Sequence, residues 1–281
     1  MSAPDLPPPP QHLIGERPLY VHLHAERVSA LELAGGVVVV IDAIRASVTI
    51  AKALSEGARA ILPVLTAEEA REKATALRLS RRNTSSEQRV LLGGERGGVM
   101  IDGFDLDNSP FSYQRERVGG ASIVFTTSNG TAGLLHAKQA SKILVGSFVN
   151  LTRVCNEVAL DPRPVHILCC GTRTDISLDD VLVGGAMAQR LIARGRQTPS
   201  DDSWQVATML WERVSAGGFD SIIRAMCESR GGRNMVTLGL RRDVEFCSTI
   251  DAVPVLPVFD ASTGIIDSGI IDSGTIDAWP A

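Results

Sequence analysis

An acid, a base and a hydroxyl lie close together in Asp42-Ala43-Ile44-Arg45-Ala46-Ser47. A carboxylate can hold a cation, and an arginine can clamp an oxyanion with two parallel N–H donors. The structural alternative is that Asp42 caps the helix that follows and Arg45 pairs with a surface acid. Gly93-Gly94-Glu95-Arg96-Gly97-Gly98 sets a second acid and base among glycines, which let a backbone approach a ligand. Gly103-Phe104-Asp105-Leu106-Asp107-Asn108-Ser109-Pro110 is dense in carboxylate, amide and hydroxyl, and it also reads as an Asx turn before a proline. Thr126-Thr127-Ser128-Asn129-Gly130-Thr131 joins an apolar run to an apolar helix. That is the general shape of an anion cradle built from backbone N–H groups. It lacks the Gly-Lys-Ser/Thr ending of a nucleotide P-loop. Further on come Cys170-Gly171 and Ser177-Leu178-Asp179-Asp180, in which Ser177 with Asp180 reads as a variant capping box.

These residues need elements to position them. Val37-Val38-Val39-Val40-Ile41 has no polar alternation, which predicts a strand buried on both faces. Further strands are expected over 19–23, 60–64, 90–92, 121–125, 142–147 and 165–170. The first alternates, as an edge strand does, and carries His22 and His24 on one face. That spacing suits a metal pair or two solvated histidines. Helices are expected over 47–57, 66–79, 132–138, 151–159, 181–193, 204–214 and 231–239, and a last extended segment over 246–258. Strands alternating with helices give an α/β fold, a three-layer α/β/α sandwich with a largely parallel sheet. Right-handed crossovers would bring the loops that start at Asp42, Gly93, Thr126 and Gly171 to one edge. Their convergence is the case for an enzyme.

Residues 1–18 read as a disordered Pro-rich tail, 19–258 as the α/β domain and 259–281 as a C-terminal extension. The net charge of −4 mixes both signs, and aromatic residues make up 4% of the chain, so no nucleic-acid surface is expected. No apolar run reaches membrane-spanning length and no basic-then-apolar leader is visible, which gives a cytoplasmic expectation. Five cysteines without a C-x-x-C pair fit reduced thiols. A homo-oligomer is left open.

Taken in order, Val39-Val40-Ile41-Asp42-Ala43-Ile44-Arg45-Ala46-Ser47, Gly94-Glu95-Arg96-Gly97-Gly98, Gly103-Phe104-Asp105 with Asn108-Ser109-Pro110, Thr126 to Thr131, and Cys170-Gly171-Thr172 with Ser177 to Asp180 resemble the 2-phosphosulfolactate phosphatase family. The resemblance runs from about Leu19 to Val258. This chain has Ile44 and Ser47 where the family commonly has Leu and Thr, and Asp179 where it commonly has Glu. The resemblance implies an α/β/α fold and Mg²⁺-dependent hydrolysis of 2-phosphosulfolactate to sulfolactate and phosphate, a step of coenzyme M biosynthesis. It also implies a small phosphorylated acid as the partner, while charge, aromatic content and the lack of a long apolar run already argue for no nucleic acid and no membrane.

On that footing Asp42, Arg45, Glu95, Arg96 and Cys170 are the candidate catalytic residues. Arg45, Arg96, Thr127, Ser128, Asn129, Gly130 and Thr131 are the candidate substrate-binding residues, with Arg173 a further anion ligand. Asp42, Asp105 and Asp180 are the candidate Mg²⁺ ligands, because Mg²⁺ takes hard oxygen donors and keeps several waters. Glu95 would complete the shell or orient water. Three nucleophiles stand open: metal-activated water, Asp42 and Cys170. Neither Cys169 nor Cys170 has an arginine six residues on, and no Asp-x-Asp starts at Asp42, so neither common covalent phosphatase pattern is met. A non-catalytic small-anion binding protein on the same fold is the alternative. A nucleotide-dependent transferase lacks its glycine patterns.

Overall fold

The computed structural model describes residues 16–81 and 89–269. The expected loop over 81–88 therefore falls almost entirely outside the described residues, as do 1–15 and 270–281. Strand β1 (Leu19–His22) leads through β2 (Val37–Ile41) into helix α1 (Ala46–Ser55). Next come β3 (Ala60–Pro63), α2 (Ala67–Arg81), β4 (Val90–Arg96), β5 (Val99–Met100) and the short α3 (Arg115–Val118). The chain continues with β6 (Ser122–Thr126), α4 (Gly130–His136), β7 (Lys142–Val145), α5 (Leu151–Ala159) and β8 (Val165–Cys169). A helical stretch follows, α6 (Leu178–Ile192), α7 (Ser203–Ser215), α8 (Gly218–Glu228), α9 (Arg230–Thr237) and α10 (Arg241–Cys247), before the hairpin β9 (Val258–Asp260) and β10 (Ile265–Asp267).

The strands form one mixed, mostly parallel sheet flanked by helices, in the order β1-β8-β2-β7-β9-β10-β3-β6-β4-β5. This is the three-layer α/β/α fold that the alternation predicts. β1 lies at the edge, as expected, and β2 sits between β8 and β7 with all five of its residues buried. A buried, β-branched run is stabilised there by packing on both faces.

The sheet departs from a single parallel set in one respect that matters. β7, β9, β10 and β3 are joined by three successive antiparallel pairings. The parallel set β3, β6, β4 therefore runs opposite in sense to the parallel set β1, β8, β2, β7. On a flat sheet their carboxyl ends would lie at opposite edges. Instead Val38, Val40 and Leu168 of one set share an apolar core with Ile61, Ile123 and Phe125 of the other. The loops that follow strands of both sets nonetheless meet: a Cβ on Gly130 would lie 2.8 Å from Asp42 Oδ2, and Ser128 N donates to Glu95 Oε1 at 2.8 Å.

Three segment boundaries need correction. Residues 259–267 are not an appended extension, because β9 and β10 bridge the two parallel sets inside the sheet. Of the expected tail, Arg17 is buried and donates to Ala159 O at 2.9 Å, and Pro18 pairs with Gln197. The segment 246–258 is not wholly extended, since α10 runs to Cys247.

Candidate active site

Asp42 follows the last residue of the central strand β2. Its backbone N–H donates to Ser47 Oγ at 2.9 Å, and its own Oδ1 accepts from Ala46 N at 3.3 Å. It therefore does cap α1, as the structural reading has it, but it also lines an open cleft. Gly130 decides how close the Thr126–Thr131 loop can come. A Cβ there would lie 2.8 Å from Asp42 Oδ2 and 2.7 Å from the Ala46 Cβ, so only glycine seats α4 against this carboxylate. The Gly130 backbone N–H also donates to Asp42.

Glu95 reaches the same cleft from the other parallel set. β4 extends through Arg96, so the glycine-rich segment expected as a loop is the end of a strand. Gly94 has φ 145°, and a Cβ on it would lie 2.0 Å from Thr126 O, which makes glycine obligatory where β4 meets β6. Glu95 Oε1 accepts from Ser128 N at 2.8 Å, and Oε2 accepts from Gly98 N at 2.6 Å and from Ser128 Oγ at 3.3 Å. The carboxylate thus ties two loops together while presenting an edge to the cavity.

The cleft holds about 330 Å³. Arg45, Arg173 and Arg230 also line it. Arg45 is 2% exposed, donating to Asp243 Oδ2 at 2.5 Å and to Gly98 O at 3.0 Å. Asp243 in turn accepts from Ser109 Oγ at 3.0 Å. Arg230 pairs with Asp175. The Arg173 guanidinium meets no acceptor among the described residues, while its backbone is held in the left-handed region at φ 56°. Arg173 N donates to Asn129 Oδ1 at 3.0 Å, and Arg173 O accepts from His24 Nε2 at 2.8 Å. His24 is thus not a metal partner of His22, which instead meets His166 Nδ1 at 3.0 Å.

Electrostatics around Asp42 are dominated by neighbouring buried acids, with Arg173 the one uncommitted guanidinium lining the cleft among the described residues. Burial, then Asp179, then Glu95 push the Asp42 carboxyl up to about 7. Burial also raises Asp179, and burial with Asp179 and Asp42 raises Asp180 well above the usual range. The nearest buried guanidinium, Arg45, is already spent on Asp243.

The sequence profile described as 2-phosphosulpholactate phosphatase matches residues 22–262. The chain belongs to that family. It is 38% identical over 230 residues to a probable 2-phosphosulfolactate phosphatase of Symbiobacterium thermophilum, covering 82% of this chain and 94% of the relative. A protein of the same description from Clostridium perfringens is 32% identical over 246 residues, covering 88% and 94%. One from Thermotoga maritima is 34% identical over 219 residues, covering 78% and 87%.

The phosphosulfolactate phosphatase motifs do not all meet at the cleft. Asp42, Arg45, Glu95, Ser128 and Asn129 do. Asp105 does not: it accepts from Leu92 N at 2.7 Å, lies 3.5 Å from Arg78 and is half exposed. Asp180 is buried under the site rather than in it. Its Oδ1 accepts from Ala43 N at 2.7 Å and its Oδ2 from Gly171 N at 2.8 Å, so it fastens the ends of β2 and β8 to α6. Neither acid reaches the cleft as a ligand, and the expected capping bond to Ser177 is replaced by this bridge. Ser177 Oγ donates to Asp179 Oδ1 at 2.5 Å instead. Arg96 turns away, donating to Leu65 O and Thr126 Oγ1, each at 2.8 Å. Thr127 and Thr131 exchange N–H to hydroxyl bonds of 3.4 Å with one another, and Gly130 is a spacer rather than a ligand. Cys170 lines a neighbouring cavity beside Gly133, and burial with Asp42 and Asp180 pushes its thiol well up. A protonated, packed thiol is a poor nucleophile.

Arg230, Asp243 and Asn234 are the residues that sequence reasoning missed. Arg230 and Asn234 come from α9, and Asn234 Nδ2 donates to Gly97 O at 3.0 Å. Their only sequence signal is the Gly231-Gly232 pair, and Gly231 packs 3.1 Å from Asp179 Oδ2 by its Cβ direction.

The resemblance implies Mg²⁺, and Asp42 and Glu95 are the residues of the cleft that could hold it. Both are hard oxygen donors sharing one cleft, and of the arginines lining it Arg45 is committed to Asp243 and Arg230 to Asp175, which leaves Arg173 as the one unpaired guanidinium among the described residues there. Mg²⁺ is held elsewhere in proteins by one or two carboxylates plus waters and substrate phosphate.

Proposed function

We propose that this chain is a Mg²⁺-dependent phosphatase that hydrolyses a small phosphorylated acid, foremost 2-phosphosulfolactate, to sulfolactate and phosphate. On this reading the reaction would be a step of coenzyme M biosynthesis, carried out in the cytoplasm. One observation carries the reading: two carboxylates, Asp42 and Glu95, and three arginines, Arg45, Arg173 and Arg230, line one small cleft. Two carboxylates turned into a cleft for an anion would repel it unless a cation lay between them. The family membership and the relatives' descriptions support the same substrate.

Phosphate monoesters hydrolyse extremely slowly unaided, so charge must be neutralised and reactants oriented. Asp42 and Glu95 would hold the Mg²⁺ ion. When bound, it would act as a Lewis acid on the phosphoryl oxygens. The substrate carries carboxylate and sulfonate besides phosphate. Arg173, with no other partner among the described residues, and Arg230 supply planar donors for those groups. Arg45 braces the cleft floor through Asp243 and Gly98. With Cys170 outside the cleft and Asp42 given to the metal, water is the nucleophile. Its oxygen bonds to phosphorus, the ester P–O bond breaks, and the proton given up by the water passes to the departing alkoxide, which leaves as the hydroxyl of sulfolactate.

The test is phosphate release from 2-phosphosulfolactate by the purified protein with Mg²⁺ and with EDTA. Release that EDTA abolishes is expected. Tight substrate binding with no release would make the chain a small-anion binding protein instead.

A further inference from the structure

We propose that Asn108 supplies a further oxygen to the cation shell of this site, beside Asp42 and Glu95. The inference rests on the Mg²⁺ reading above. Asn108 is 3% exposed and lines the cleft, and its Oδ1 has no hydrogen-bond partner. Buried amide oxygens are almost always satisfied, so one that is not points to a missing donor or ion.

The segment around it has little freedom to find a partner elsewhere. Thr49 Oγ1 donates to Asn108 O at 2.8 Å, and Tyr113 Oη donates to Asp107 O at 2.7 Å. Ser109 N donates to Asp107 Oδ1 at 2.9 Å, and Ser109 Oγ is fixed on Asp243. The neighbouring Arg45 guanidinium is committed to Asp243 and Gly98. A fully ionised phosphosulfolactate offers only acceptors, so the substrate cannot satisfy Oδ1. A hard cation, or a water on it, can.

The protein's choice of a neutral oxygen is also consistent. Among the described residues no three His, Cys, Asp or Glu side chains converge to hold a metal. A cation on Asp42 and Glu95 must therefore take any further protein donor from a neutral group. Asn129 and Asn234 also line the cleft, but Asn108 is the buried amide. A third carboxylate there would add charge to a cleft already crowded by Asp42, Glu95 and the adjacent Asp179.

The experiment measures Mn²⁺ binding by electron paramagnetic resonance and Mg²⁺ binding by calorimetry, without substrate. It compares wild type, Asn108→Ala, Asn108→Asp and Asp42→Asn. Asn108→Ala should weaken both ions about 10-fold or more, the size seen when metal-site support is removed. Asn108→Asp should bind at least as tightly as wild type, which keeps the test valid if the alanine variant fails to fold. Wild-type affinity in Asn108→Ala, or weakened binding in Asn108→Asp, overturns the inference alone when Asp42→Asn has lost the metal. No binding by wild type, or full binding by Asp42→Asn, overturns the Mg²⁺ reading and this inference with it.

Discussion

Asp180→Asn separates a framework role from a ligand role. In the fold each carboxylate oxygen accepts one backbone N–H, from Ala43 at 2.7 Å and Gly171 at 2.8 Å. Asparagine keeps one acceptor oxygen and turns an NH2 toward the other amide. One hydrogen bond is lost and a buried N–H is left facing a donor, which costs roughly 1–3 kcal/mol. The charge change works the other way. Asp180 is raised well above the usual carboxylate range by burial, Asp179 and Asp42, so removing it relieves repulsion once the group would ionise. As pH falls and the raised carboxyl protonates, less repulsion is relieved by the change and more of that cost should appear. For a chain of 281 residues that is a fall in the metal-free Tm of roughly 2–5 °C. The penalty should shrink as pH rises. Melting without metal at pH 5 and pH 8, paired with a Mg²⁺ titration by calorimetry, checks this. An unchanged Tm together with a tenfold loss of Mg²⁺ affinity would refute the argument and make Asp180 a ligand.

The metal-free protein should lose stability above pH 6.5. Asp42 has a folded pKa of about 7 against 3.8, so the folded chain binds the extra proton and its advantage fades as pH rises through 7. The loss between pH 6.5 and 8 from Asp42 alone is about 1 kcal/mol, and Mg²⁺ should raise Tm more at pH 8 than at 6.5. His166, depressed to about 4 by burial, and His22, also lowered by burial, act in the opposite direction and still contribute near pH 6.5, so the Asp42 part is read as the difference between wild type and Asp42→Asn. Gly130→Ala should cost about 1–3 kcal/mol by overpacking against Asp42 and Ala46, and phosphatase rate and Mg²⁺ affinity should fall together; wild-type values of both would sink that placement. Arg173→Gln should raise KM at least about tenfold, the worth of one charge-assisted contact, while leaving Mg²⁺ binding unchanged. His24→Leu should raise KM in the same way by releasing the Arg173 backbone, whereas a fall in kcat with KM unchanged would detach both residues from substrate binding.

What the sequence determined by itself is local. Val37 to Ile41 could only be a buried strand, and the acid that ends such a strand had to stand at a sheet edge. The runs of Ala60–Val64, Val165–Cys169 and Leu151–Ala159 are legible for the same reason: side-chain period and burial act over a few residues. The order of motifs also identified the family and, through it, the fold class. Three things escaped. The antiparallel hairpin β9–β10 lies between β7 and β3, and pairing partners so distant in sequence leave no periodic mark. The same holds for Arg45 and Asp243, nearly two hundred residues apart, whose contact turned an expected substrate ligand into a buried ion pair. Last, Asp105, Asp180, Arg96 and Cys170 have the right chemistry for the cleft but spend it elsewhere. Residue type fixes what a side chain can do, whereas the direction in which it points depends on which backbone amides, carbonyls and packed atoms tertiary folding places around it.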